Sequence, residues 1–192
     1  MSIPLVTLRA TQRFPSLGFG VGTSWFKTPD ERKSVLMAAV KRALDAGFMH
    51  LDEAEMYGNE DCTGEALQEW LAEHTATPRE HLHITSKVMS VDAEGGIEAI
   101  CRRSLQALRC DYFDLYLVHA PFNRDGSSFA TTLVDVWRQM EALVDNGLAK
   151  AVGVSNWRVS DLEGVYEAAR IKPCCNQIEA HPYLQQDRKS VV

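Results

Sequence analysis

Residues 50–60 read His50-Leu51-Asp52-Glu53-Ala54-Glu55-Met56-Tyr57-Gly58-Asn59-Glu60. The stretch follows a short apolar segment, Gly47-Phe48-Met49, and precedes a run with helical periodicity, so it reads as the loop leaving the end of a strand. It puts a carboxylate and a phenol five residues apart on one connection. Loops at strand ends let polar groups converge without disrupting a core, which makes this one edge of a candidate site. Taken alone, the same residues serve structure equally well. An Asp at a strand end caps the following helix, and a loop Tyr packs half-buried.

Outward from that loop the chain alternates. Upstream, Leu17-Gly18-Phe19-Gly20-Val21-Gly22-Thr23 suits a first strand whose backbone is closely approached; its glycines do not open into a helix, as a dinucleotide fingerprint of the Gly-x-Gly-x-x-Gly type must. Thr28-Pro29-Asp30-Glu31 predicts a helix start with a capping box, Leu36, Val40, Ala43 and Leu44 its buried face, and Gly47 its end. Phe48 to Leu51 is the second strand. Asn59 is expected to cap a helix carrying Ala66, Leu67, Trp70 and Leu71 inward. Downstream come strands over 82–88, 113–118, 149–154 and 173–178. Between them lie helices beginning near Asp92, before Leu133 and at a second capping box, Ser160-Asp161-Leu162-Glu163. Residues 1–16 suggest a short hairpin or arm.

Strict β-α alternation demands a parallel sheet. Asp52, Lys87, His119, Ser155 and Gln177 sit at successive strand ends, 22 to 36 residues apart, about one β-α unit each. The C-terminal ends of parallel strands face one rim, so these five gather at one mouth. That favours a (β/α)8 barrel of the TIM type over an open sheet.

At 192 residues, 45% hydrophobic and 24% charged, the chain has ordinary globular composition, and one domain over 1–192 is expected. A net charge of -6 with no basic stripe argues against a nucleic-acid or anionic-membrane partner. No apolar run approaches the roughly 20 residues that span a bilayer. Met1-Ser2-Ile3-Pro4 lacks the features of a signal peptide, so a cytoplasmic protein is expected. The five cysteines, Cys62, Cys101, Cys110, Cys174 and Cys175, contain no Cys-x-x-Cys pair and read as reduced core residues, with no metal site.

Asp52, Tyr57, Lys87 and His119 together suit proton transfer. A phenol is a poor acid near neutrality, but an ammonium a few ångströms away favours its anion, and a carboxylate holds that ammonium charged and oriented. A neutral histidine beside the phenol positions a carbonyl oxygen. Such a site donates to an oxygen turning from carbonyl into alkoxide. Singly, each residue has a plain alternative: a solvated lysine, a core histidine, a structural Asp52–Lys87 ion pair.

These residues resemble the aldo-keto reductases. The resemblance rests on Leu17-Gly18-Phe19-Gly20 with Gly22-Thr23, on Asp52 with Tyr57-Gly58-Asn59-Glu60, and on Lys87 in Thr85-Ser86-Lys87-Val88. It continues through His119 after Asp114-Leu115-Tyr116-Leu117-Val118, through Gly153-Val154-Ser155-Asn156, and through Asn176-Gln177-Ile178-Glu179 with His181-Pro182-Tyr183. It implies an NADPH-dependent carbonyl reductase working by hydride transfer on a small-molecule aldehyde or ketone. By the resemblance, Tyr57 is the general acid, Lys87 and Asp52 its support, and His119 the group that orients the carbonyl. Ser155, Asn156 and Gln177 hold the nicotinamide carboxamide, Gly22 and Thr23 approach the cofactor, and Asp52 also touches its ribose. Trp25 and Phe122 fall where the family's loops line the substrate pocket. An aldolase using Lys87 as a Schiff base would leave Ser155, Asn156 and Gln177 unexplained.

A full barrel needs eight β-α units over about 250 residues, and about six are recognisable here. The similarity stops near Gln186, and Asp187-Arg188-Lys189-Ser190-Val191-Val192 matches no further unit. A C-terminally truncated domain is therefore expected. The alternative function is an inactive or partner-binding protein of the same fold.

Overall fold

The computed structural model describes residues 3–9 and 12–186. The expectations placed on Met1, Ser2 and residues 187–192 lie outside the described residues. An antiparallel hairpin, β1 (Leu5–Arg9) and β2 (Gln12–Pro15), comes first. Six parallel strands follow, and they pair in chain order from β3 to β8. They are β3 (Phe19–Gly20), β4 (His50–Asp52), β5 (His83–Val88), β6 (Leu115–Val118), β7 (Val152–Ser155) and β8 (Asn176–Gln177). Five helices cover the outside: α1 (Asp30–Asp45), α2 (Glu60–Glu73), α3 (Gly96–Leu108), α4 (Leu133–Asp145) and α5 (Val159–Ala168). The sheet curls into a half-barrel carrying six strands of the (β/α)8 plan.

Strand alternation builds two cores. Leu51, Ile84, Tyr116, Val118, Val152 and Val154 point outward, into one large cluster with the helices. Leu115, Leu117 and Ala151 point inward and meet Phe14 of the hairpin, which plugs the inner face at the strands' N-terminal ends. The Phe14 ring also sits edge-on to His50 at 4.6 Å and His83 at 4.9 Å. Burial of each large apolar side chain here is worth about 1.5–3 kcal/mol.

The helices form on the faces their periodicity predicts. On α3, Ile97, Ile100, Cys101, Ser104, Leu105 and Leu108 are all buried, at i, i+3 and i+4 spacing. Helix α2 lies so close to α3 that a Cβ on Gly64 would come within 2.3 Å of the Ala107 carbonyl oxygen. Below the site, buried Asp114 ties the sheet's lower rim together, accepting from Arg79 at 3.0 Å, Lys150 at 3.1 Å and the Ile84 amide at 3.0 Å.

Three expected caps are corrected. The Thr28 hydroxyl donates to the Trp25 carbonyl at 2.5 Å, and α1 starts at Asp30 without a side-chain cap. Asn59 precedes α2, but its amide donates elsewhere. Helix α5 is capped two residues before the expected position, at Arg158: Asp161 accepts from the Arg158 amide at 2.9 Å, so Ser160 lies inside the helix. The last strand is also shorter than 173–178, although Cys174 still donates to Val152 at 3.0 Å and Val154 to Cys175 at 3.0 Å. Among the described residues no helix is long and apolar enough to cross a membrane, and no cluster of three or more metal-ligating side chains occurs.

Candidate active site

The inward-facing positions at the strand ends converge. Asp52 ends β4, Lys87 is next to last in β5, His119 follows β6, Ser155 ends β7 and Gln177 ends β8. With Tyr57, Asn156, Ile178 and Glu179 they line one cavity of about 350 Å³. Gly20, Gly22, Thr23, Ser24 and Trp25 line an adjoining cavity of about 210 Å³ that shares Asp52 and Tyr57. Every catalytic and cofactor-binding residue expected from the sequence thus falls on one of two contiguous cavities. Phe122 is 43% exposed and lines neither.

Lys87 is the centre of the geometry. It is 2% exposed, and its Nζ donates to Asp52 Oδ1 at 2.8 Å, to the Glu53 carbonyl oxygen at 2.9 Å and to the Tyr57 hydroxyl at 3.4 Å. A buried ammonium persists only when paired and hydrogen-bonded, and all three of its protons are directed here. Asp52 also accepts from Gln177 Nε2 at 3.3 Å, so the first and last strands of the site share one carboxylate.

His119 stands edge-on to Tyr57, with ring centroids 5.8 Å apart. Burial, and secondarily the charge of Lys87, lower its pKa from 6.5 to about 4, so the imidazole is neutral around pH 7. Its Nδ1 has no protein partner among the described residues. Asn156 Nδ2 donates to the His119 carbonyl oxygen at 3.1 Å and to Ser155 Oγ at 3.0 Å, and Ser155 Oγ donates to the Gln177 carbonyl oxygen at 2.8 Å.

Two backbone features shape the cavities. Thr23 and Asn156 both have positive φ, at 41° and 61°. A β-branched residue in that region is strained by about 1–3 kcal/mol, a kind of strain that collects at ligand clamps. A Cβ added to Gly22 would lie 2.9 Å from Tyr57 Cζ and 3.2 Å from its hydroxyl. Only a glycine lets the phenol occupy its position.

Sequence reasoning missed the supports. Asn59, 1% exposed, donates from Nδ2 to the Val21 and Trp25 carbonyl oxygens, both at 2.9 Å, clamping the Gly22–Trp25 turn to the start of α2. Glu55 accepts from the Met89 amide at 3.0 Å and the Ser90 amide at 3.1 Å, joining the Tyr57 loop to the loop after β5. Glu60 accepts from Ser86 at 2.7 Å and Ser104 at 2.8 Å inside the sheet-helix layer. Asn59 was legible as a helix cap and, with Glu60, as part of the stretch that carries the resemblance, but not in these roles; Glu55 carried no signal.

The residues present suit a nicotinamide cofactor at this end. Hydroxyl and amide groups of Ser155, Asn156 and Gln177 rim the cavity beside Asp52, and nothing within 4 Å would meet a Cβ on Gly20, so the adjoining cavity is open beside that backbone.

Comparison with known proteins places the chain. A model described as the aldo/keto reductase family matches residues 16–191. Aldo-keto reductase family 1 member A1-A of Danio rerio is 40% identical over 195 residues, which cover 94% of this chain and 58% of that protein. Aldo-keto reductase family 1 member A1 of Sus scrofa is 37% identical over 201 residues, covering 97% and 60%. The crystal structure of a Bombyx mori aldo-keto reductase in complex with NADP superposes with a TM-score of 0.87 at 30% identity, covering 98% of this chain and 62% of that one. The chain therefore spans about three-fifths of the length of these relatives.

Proposed function

The chain belongs to the aldo/keto reductase family, and on that premise we propose that it is an NADPH-dependent carbonyl reductase, converting a small aldehyde or ketone into an alcohol. The observation that carries the reading is the triple engagement of buried Lys87 with Asp52, Glu53 and Tyr57.

When bound, the nicotinamide supplies the hydride. The chain's own residues do the rest. Tyr57 donates its proton to the carbonyl oxygen as that oxygen gains charge. Lys87, at 3.4 Å, stabilises the phenolate left behind, and Asp52 keeps the ammonium aimed. His119, neutral, holds the carbonyl oxygen toward the phenol without competing as an acid. Ser155, Asn156 and Gln177 would hold the carboxamide, Gly22 and Thr23 would pack against the cofactor, and Asp52 would touch its ribose. The same reading takes residues 1–192 as a single domain.

The test is a titration with NADPH followed by turnover over a panel of aldehydes and ketones. Saturable binding with NADPH consumption is expected. Tight binding without turnover would replace this reading with the partner-binding alternative, and absence of binding would replace it with the inactive one.

A further inference from the structure

Beside the Tyr57 loop lies a third cavity, of about 660 Å³, larger than either cavity of the candidate active site. Met56 and Gly58, the neighbours of Tyr57 in the chain, line it, together with Met89 just past β5 and with Lys27 and Arg124 from the loops after β3 and β6. The Phe26 ring links this cavity to the phenol. It is 37% exposed and stands edge-on to the Tyr57 ring, with centroids 6.5 Å apart. Lys27 Nζ and the Arg124 guanidinium carbon each lie 5.9 Å from its own centroid. Neither cation is therefore farther from the Tyr57 ring than those two steps laid end to end.

Three acids share the lining, and each is committed within the protein. Glu55 holds the Met89 and Ser90 amides. Asp92 accepts from Asn123 Nδ2 at 3.0 Å and from the Ala130 amide at 2.9 Å, and Asp125 accepts from the Ser127 amide at 2.9 Å and its hydroxyl at 2.6 Å. The two cations are not so committed. Among the described residues neither Lys27 nor Arg124 comes within ion-pair distance of an acid, and both charges meet the Phe26 ring instead. Two like charges gathered on one ring, in a chain of net charge -6, draw an anion to that spot. Phe26, Met56 and Met89 offer apolar, adaptable surface beside it.

We propose that this cavity sets the substrate class: a carbonyl compound whose reacting end reaches Tyr57, whose far end is a carboxylate held by Lys27 and Arg124, and whose spacer is apolar and lies along Phe26, Met56 and Met89. This rests on the reductase reading for the place of the reacting carbonyl. The guanidinium fork takes both carboxylate oxygens, and the ammonium adds a point charge. Both residues determine specificity, acting on the bound substrate and not on the reacting atoms.

The test compares wild type, Arg124→Gln, Lys27→Gln and the double variant, all changed at exposed positions, on para-formylbenzoate and its uncharged methyl ester. Steady-state loss of NADPH gives kcat/KM for each. Wild type is expected to favour the acid over the ester, the preference falling at least about threefold in each single variant and vanishing in the double variant, with KM carrying the change. Arg124→Lys, which keeps the charge, retains most of the preference. An acid-to-ester ratio that the substitutions leave in place overturns the proposal. So does a fall of the same size in NADPH affinity, which would assign the cations to the cofactor. Saturation-transfer NMR of both compounds runs alongside and needs no turnover: the double variant loses the acid's signal relative to the ester's. If no aldehyde is turned over, the reductase reading fails while this binding difference still decides the proposal, and equal signals from wild type and the double variant overturn it.

Discussion

Replacing Lys87 with Met keeps the aliphatic stem and removes the charge. In the structure that charge lies 3.4 Å from the Tyr57 hydroxyl. An ammonium and a phenolate at that distance attract by about 5 kcal/mol at an effective dielectric of about 20. Water reorganising into the vacated space offsets part of this, leaving about 3–4 kcal/mol, or a fall in kcat of about 10²- to 10³-fold. KM should change little, since the ammonium acts on the charge that develops in the transition state rather than on substrate binding. The variant also leaves Asp52 without its ion-pair partner. That side chain is 22% exposed, so the stability loss is expected at about 1–3 kcal/mol, below the usual figure for a fully buried pair. The assay is steady-state loss of NADPH absorbance with a saturating aldehyde, alongside urea unfolding to separate lost chemistry from lost fold. A Lys87→Met protein that folds and keeps kcat within about threefold of wild type would refute the electrostatic role of Lys87.

Gly22→Ala should push the Tyr57 ring aside and lower kcat at least about tenfold while Tm hardly moves, because the clash falls on a half-buried side chain; kinetics with paired thermal melts checks this. Asn59→Ala leaves the Val21 and Trp25 carbonyl oxygens without their donor, and urea unfolding should show a loss of about 2–4 kcal/mol together with weaker NADPH binding. His119 is held at about 4 by burial against 6.5 when unfolded, so the unfolded chain binds the extra proton between those values. Stability from this residue is therefore complete above about pH 6.5 and lost as pH falls towards 4, by about 1–2 kcal/mol after allowance for its partial exposure. His119→Gln should flatten that part of the Tm-against-pH curve, and the wild-type rate should show no inflection near pH 6.5.

What the sequence made legible was whatever follows from period and parity. Asp52, Lys87, Ser155 and Gln177 are inward positions at strand ends, and alternation alone brings them to one rim. The helix faces, such as Ile97 to Leu108, follow from spacing in the same way. What was not legible depends on partners distant in the chain. Thr28 and Asn59 are residue types that cap helices, but Trp25 and Val21 offered them carbonyl oxygens first, so local chemistry yielded to tertiary contact. By residue type Glu53 is one more acid in the loop over residues 50–60. Its burial follows from the tight path between β4 and α2, which composition does not record. The strained backbone at Thr23 likewise leaves no trace in residue type.

The central claim is that the Tyr57 hydroxyl delivers the proton. The most direct measurement is single-turnover NADPH oxidation by Tyr57→Phe with a saturating aldehyde, beside an NADPH titration of the same variant. Phe keeps the ring beside His119 and removes only the hydroxyl bonded to Lys87. Unchanged NADPH affinity and a rate lower by at least about 10²-fold are expected. A Tyr57→Phe protein that turns over at the wild-type rate would contradict it.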